Sequence, residues 1–88
     1  MRIEFRSSFV RDLDRIRDRT LKDRVKQTID QVERARSLEE IEHLRKLQGA
    51  DRYYRIRLGD YRIGIVVEKD TVTFVRLLHR KDVYRHFP

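Results

Sequence analysis

The sequence predicts an α+β domain of order β-α-α-β-β-β. In it a mainly antiparallel four-stranded sheet carries an N-terminal helical hairpin on one face. Three observations predict this. Apolar residues recur at helical spacing between residues 9 and 35, the period falls to two from residue 53 onward, and turn dipeptides cut that second stretch into strands. A length of 88 residues suits a single domain, residues 1–88, with a thin core. One proline, three glycines and no internal repeat leave no place for a flexible linker.

Each element follows from its own residues. Met1, Ile3 and Phe5 alternate with Arg2, Glu4 and Arg6, which predicts a first strand. Ser7 and Ser8 offer an N-cap to a helix whose apolar side is Phe9, Leu13 and Ile16. Thr20, with Asp23 three residues on, opens a second helix. Its stripe is Leu21, Val25, Ile29 or Thr28, and Val32, ending near Ala35. The stretch "SLEE" (37–40) predicts one short turn, after which Leu44 and Leu47 pack down a linker that ends at Gly49. "YYRIRL" (53–58), "YRIGIVVE" (61–68) and "TVTFVRLL" (71–78) are strands rich in β-branched and aromatic residues. Two-residue turns at Gly59-Asp60 and Lys69-Asp70 join them, and a short tail follows.

A two-residue turn at Gly59-Asp60 sets the register of the central hairpin. Leu58 faces Tyr61, Arg57 faces Arg62, Ile56 faces Ile63 and Arg55 faces Gly64. By alternation Arg55, Arg57 and Arg62 project from one face, while Tyr54, Ile56, Leu58, Ile63, Ile65 and Val67 project from the other. Carried through Lys69-Asp70, the same parity puts Val72 and Phe74 on the apolar face and His79 on the arginine side. Arg76 then lands on the apolar face, where a sheet edge must absorb it. Like charges directly opposite one another destabilise a sheet by a few tenths of a kcal/mol to about 1 kcal/mol, so the cluster suits a site that receives an anion. Arginine at all three positions fits planar, bidentate recognition of phosphate, and Gly64 leaves floor space beside Arg55. Arginines on an open sheet face are often only solvated, and 22 Lys+Arg make some clustering unsurprising.

Composition narrows the partners. A formal charge of +7 with 42% charged residues implies a polyanionic or acidic partner. No stretch is long and apolar enough to span a bilayer and no signal peptide opens the chain, so no membrane role is expected. The absence of cysteine removes disulfides and thiol catalysis and fits a cytoplasmic protein. His43, His79 and His86 lack metal-ligand spacing. Gly59 and Gly64 make no nucleotide-binding fingerprint, so neither a metal nor a cofactor is expected.

Three stretches, "KLQG" (46–49), "YRIRLGDYRI" (54–63) and "HRKDVY" (79–84), behind a strand and a helical hairpin, resemble the RelE/ParE superfamily of type II toxin–antitoxin toxins, and its RelE-like branch in particular. The resemblance runs over essentially the whole chain in element order. It implies a compact RelE-like domain and a cognate RelB-like antitoxin in a heteromeric complex. It also implies ribosome-dependent, metal-independent cleavage of mRNA, in which a 2′-OH attacks the adjacent phosphate. On that resemblance Arg55 and Arg57 match the basic pair of the second strand, Arg62 the arginine of the third and Arg80 the one after the fourth. Tyr84 matches a C-terminal tyrosine that stacks on a base. His79 is the expected proton donor, and Glu42 falls near a glutamate with a basic role in YoeB-like members. Lys46, Arg52, Lys81 and Arg85 are the expected further RNA contacts. The basic pair of RelE itself is lysine, whereas arginine is a poor proton acceptor. Two alternatives therefore stand beside the nuclease: a ParE-like gyrase inhibitor, and a toxin-fold module that binds RNA or ribosome without cutting.

Overall fold

The computed structural model describes residues 1–49 and 51–88. It orders them as β1 (Arg2–Phe5), α1 (Ser7–Asp14), α2 (Arg19–Arg34), a 3-10 turn (Leu38–Glu40), β2 (Leu44–Lys46), β3 (Tyr53–Leu58), β4 (Tyr61–Glu68), β5 (Thr71–His79) and α3 (Val83–His86). The sheet runs β1-β5-β4-β3-β2. Only β1 pairs in parallel, with β5; the other pairs are antiparallel.

The sheet thus has five strands where the sequence predicts four, because the segment read as a linker contains β2. Its backbone completes the open edge of β3: Arg57 N–H donates to the His43 carbonyl (3.1 Å) and Leu47 N–H to that of Tyr53 (2.9 Å). Leu44, opposite Ile56, packs on the main core. Three residues are too few for alternation to announce a strand; the unpaired edge of β3 supplies the reason for it.

The central hairpin adopts the register its turn dictates, with Leu58 opposite Tyr61, Arg57 opposite Arg62, Ile56 opposite Ile63 and Arg55 opposite Gly64. Gly59 holds φ +60°, the left-handed backbone the tight turn needs. On the apolar face, Ile56, Ile63, Ile65, Val72 and Phe74 meet Phe9 of α1 and Leu21, Val25 and Val32 of α2. Helix starts differ from the expected ones. Asp18, not Thr20, caps α2 by accepting from Leu21 N–H (3.2 Å). Ser7 and Ser8 lie inside α1, and the Ser8 hydroxyl donates instead to the Val75 carbonyl (2.6 Å). Thr28 rather than Ile29 is the buried member of the α2 stripe, its hydroxyl bonded to the Arg24 carbonyl (2.9 Å).

That Ser8 bond marks where β5 departs from simple alternation. Phe74 stands opposite Ile65 but Arg76 opposite Gly64, so Val75 is one extra residue in the strand, a β-bulge. Beyond β1, α1 runs along this edge of β5 and holds it. The Asp12 carboxylate accepts from Leu77 N–H (2.9 Å), Arg76 Nε (2.8 Å) and Arg76 Nη2 (3.2 Å). The register therefore sets Arg76 opposite Gly64 and not in line with the apolar face, and a buried acid on a helix pairs with it. The bulge also inverts the parity of everything after it: Leu77, not Leu78, enters the core.

The opposite face of the sheet is partly covered. Val66, Val83 and Phe87 are buried outside the main core. The Phe87 ring meets Tyr53 edge-on at 5.7 Å between centroids. It also lies over Gly64, where an added Cβ would come within 2.7 Å of the ring. The floor space expected at Gly64 is thus filled by the chain's own tail. Gly64→Ala is expected to lower stability by about 1–3 kcal/mol through overpacking, measured by urea unfolding. In a Phe87→Ala background the same change should cost little; equal costs in both backgrounds would show that the ring is not what Gly64 accommodates.

Candidate nucleic-acid interface

Strand parity assembles the site. Arg55 and Arg57 of β3 and Arg62 of β4 project from the face away from α1 and α2, as the hairpin register requires. The unforeseen strand adds two residues to them. Arg45 lies opposite Arg55, and His43 stands one step beyond the paired Leu44–Ile56, its carbonyl bonded to Arg57 N–H. Together with Leu44, these five side chains line a depression of about 400 Å³. Among the described residues, no carboxylate lies within ion-pair distance of Arg45, Arg55, Arg57 or Arg62.

The charges press on one another. Arg45 faces Arg55 and Arg57 faces Arg62 across the ladder, each a destabilising like-charge pair. Arg62 is the most constrained: its Nη1 donates to the carbonyls of Gly59 (2.8 Å) and Tyr61 (2.9 Å). Burial, then the charges of Arg55, Arg57 and Arg80, push its guanidinium below the ordinary arginine value. It remains a cation at neutral pH. The field that disfavours another positive charge there is a field that favours an anion.

Tyr84 of α3 closes one side. It is 76% exposed, and the Arg55 guanidinium carbon lies 5.0 Å from its ring centroid, a cation–π arrangement. Arg55, first as a neighbouring donor and then as a charge, holds the Tyr84 phenol below the usual tyrosine range; burial opposes, and Arg62 and then Arg45 add to the lowering. Of the four tyrosines, Tyr84 is therefore expected to form phenolate at a lower pH than a free tyrosine does. A depressed phenol favours the anion, so the absorbance step appears on the low-pH side of the normal phenolic transition. Arg55→Gln should return that step to the normal position. A step unmoved by Arg55→Gln would break the assignment.

The other sequence-predicted residues distribute unevenly. His79 is not on the arginine side. The bulge pairs it with Tyr61, whose ring it meets edge-on at 5.4 Å, and its Nδ1 accepts from Lys81 N–H (3.2 Å). The same inversion favours Arg80, whose charge acts on Arg62 while its Nε lies 3.9 Å from Asp60. Glu42 lines an adjoining depression against α2, with Arg24, Gln27 and Gln31, and His43 and Arg57 line both depressions. Arg52 has the parity opposite to Arg55 and pairs with Glu68 at 3.0 Å. Lys46 lines the groove beside Tyr84 and Phe87 and approaches Asp51 at 3.8 Å. Lys81 and Arg85 are exposed near α3. Sequence reasoning missed Arg45 and His43. Their signal was the pairing of Leu44 with the apolar side of β3, which puts both neighbours of Leu44 on the arginine side.

Comparison with known proteins agrees on the family. The family described as ParE toxin of type II toxin-antitoxin system, parDE, matches residues 3–84. Toxin RelE3 of Methanocaldococcus jannaschii is 42% identical over an alignment of 89 residues that covers 100% of both chains. Among solved structures, a chain of the RelB-RelE antitoxin-toxin complex from Methanococcus jannaschii superposes with a TM-score of 0.82 at 40% identity, covering 97% of this chain and 99% of that one. A chain of the archaeal RelE-RelB complex from Pyrococcus horikoshii gives 0.73 at 25% identity, covering 90% and 93%.

Proposed function

The chain belongs to the RelE/ParE superfamily of type II toxin–antitoxin toxins, and we propose that within it the protein is a ribosome-dependent endoribonuclease that cuts mRNA and so inhibits translation. The observation that carries this reading is the convergence of Arg45, Arg55, Arg57 and Arg62 on one depression uncovered by any internal carboxylate among the described residues. A ribose 2′-OH attacks the adjacent phosphorus, the bond to the 5′ oxygen breaks, and a 2′,3′-cyclic phosphate and a 5′-OH result. Charge accumulates on the phosphorane oxygens on the way, and guanidinium groups already fixed around that position stabilise it without reorganising. Arg62, anchored by two carbonyls, is the donor best held for this work, with Arg55 and Arg57 beside it and Arg80 on the rim. Tyr84 offers a ring for a base to stack on, backed by Arg55.

The partners follow from the same face. Mass and charge suit a ribosomal site lined by RNA, with a binding constant that falls steeply as salt rises. The two similar toxins were solved in complexes with RelB. We place a RelB-like antitoxin here too, contributing acidic residues over the arginine depression or displacing the C-terminal tail, with Phe87, from Gly64. Action on ribosomes makes the location cytoplasmic.

The family description carries the ParE name, which keeps gyrase inhibition as the second reading. Primer extension on a message translated by purified ribosomes separates the two. Cuts at codon positions that appear only with ribosomes support the nuclease. Intact message with blocked supercoiling supports gyrase inhibition, and stalled ribosomes without cuts would leave a binder that does no chemistry.

A further inference from the structure

The arginine depression contains four side chains that only donate hydrogen bonds and one that can accept a proton. Building on the nuclease reading, we infer that His43 Nδ1 is the general base that takes the 2′-OH proton. Three observations carry this. The imidazole lines the same depression as Arg45, Arg55, Arg57 and Arg62. Its Nδ1 lies 3.4 Å from Arg57 Nη2. A guanidinium has donors and no acceptor, so that approach is favourable only to an unprotonated Nδ1, whose lone pair then points among the arginines. Finally, His43 holds φ 62°, left-handed backbone that L side chains adopt at a cost and that tends to persist where a side chain must be aimed. The turn into β2 spends that strain in directing the ring to Arg57.

The step balances without a further reagent. Nδ1 turns its one lone pair from the long Arg57 contact to the substrate and takes the 2′ proton as the 2′ oxygen forms its bond to phosphorus. The bond from phosphorus to the 5′ oxygen breaks with its electron pair on that oxygen, which takes a proton from water. The imidazolium returns its proton to solvent. The groups facing the ring are Arg57 and Arg55 of β3, Arg45 of β2 and Arg62 of β4, with Arg24 of α2 and Glu42 in the adjoining depression that His43 and Arg57 also line. Glu42 is the carboxylate nearest in sequence, and it opens on that adjoining depression.

His43→Asn is the informative variant. Asparagine tolerates left-handed backbone, and its amide oxygen can still accept from Arg57, but it cannot take a proton. Single-turnover cleavage of ribosome-bound message is expected to fall at least about 100-fold. The limb of the pH–rate profile that rises with pH should disappear. A message with sulfur in place of the scissile 5′ oxygen needs no protonation of its leaving group, so the loss should persist on it. An unchanged profile in His43→Asn overturns the assignment, as does recovery on the sulfur substrate, which would make His43 the acid. Unfolding of His43→Asn at the parent's urea midpoint separates lost chemistry from lost fold. If the parent leaves message uncut on ribosomes, the nuclease reading itself fails, a result distinct from failure of the histidine alone.

Discussion

Replacing Arg62 by alanine is expected to slow single-turnover cleavage of a ribosome-bound message by at least 100-fold, about 3 kcal/mol of lost transition-state stabilisation. The magnitude follows from how the group is held. Its guanidinium is fixed by the carbonyls of Gly59 and Tyr61, so little ordering remains to be done when negative charge develops on the phosphorane. The same geometry makes a loss of binding alone the wrong signature. A donor that meets the ground-state phosphate and the phosphorane equally would raise KM and leave the rate at saturation intact. The expected result is a fall in that saturated rate.

Arg62→Lys sharpens the test. Lysine keeps the charge but loses the planar fork and the two carbonyl anchors, so it should recover only part of the rate. Full recovery would mean that any cation suffices and that the anchoring is incidental. Because Arg62 also ties down the β3–β4 turn, both variants need urea midpoints beside the rates. A near-parent rate in a folded Arg62→Ala protein removes this residue from the chemistry.

The part of the site legible in the sequence was the part governed by local rules. A glycine at the first position of a two-residue turn fixed the hairpin register, and with it the common face of Arg55, Arg57 and Arg62. What escaped depended on contacts far apart in the chain. The bulge at Val75 is held by Ser8 and Asp12 of α1, more than sixty residues upstream, and no pattern within β5 announces it. Extending the hairpin's parity across it carried His79 to the wrong side and left Arg76 without a partner. β2 is three residues long and exists because β3 had a free edge, so Arg45 and His43 could be placed only once that pairing was seen. Phe87, read as tail, covers Gly64 because only a residue without a side chain lets the ring approach so closely.

Asp12→Ala is expected to cost about 3–5 kcal/mol of stability. The carboxylate is 7% exposed and serves three donors at once: Leu77 N–H and both reaching nitrogens of Arg76. Its removal leaves a buried N–H with no acceptor and a cation without its counter-charge. For a domain of this size, total stability lies near the lower end of about 5–15 kcal/mol, so the urea midpoint should fall by a large fraction. Asp12→Asn keeps an oxygen for Leu77 and should cost clearly less. Converting Asp12 and Arg76 together to apolar residues of similar volume should cost less than either truncation alone. The consequence reaches the arginine face, because Asp12 holds the segment whose bulge sets the parity of everything beyond Val75, Arg80 included. A destabilised but folded Asp12 variant should therefore lose cleavage rate as well. Asp12→Ala unfolding at the parent's midpoint would mean that the grip of α1 on this edge does not hold the bulge.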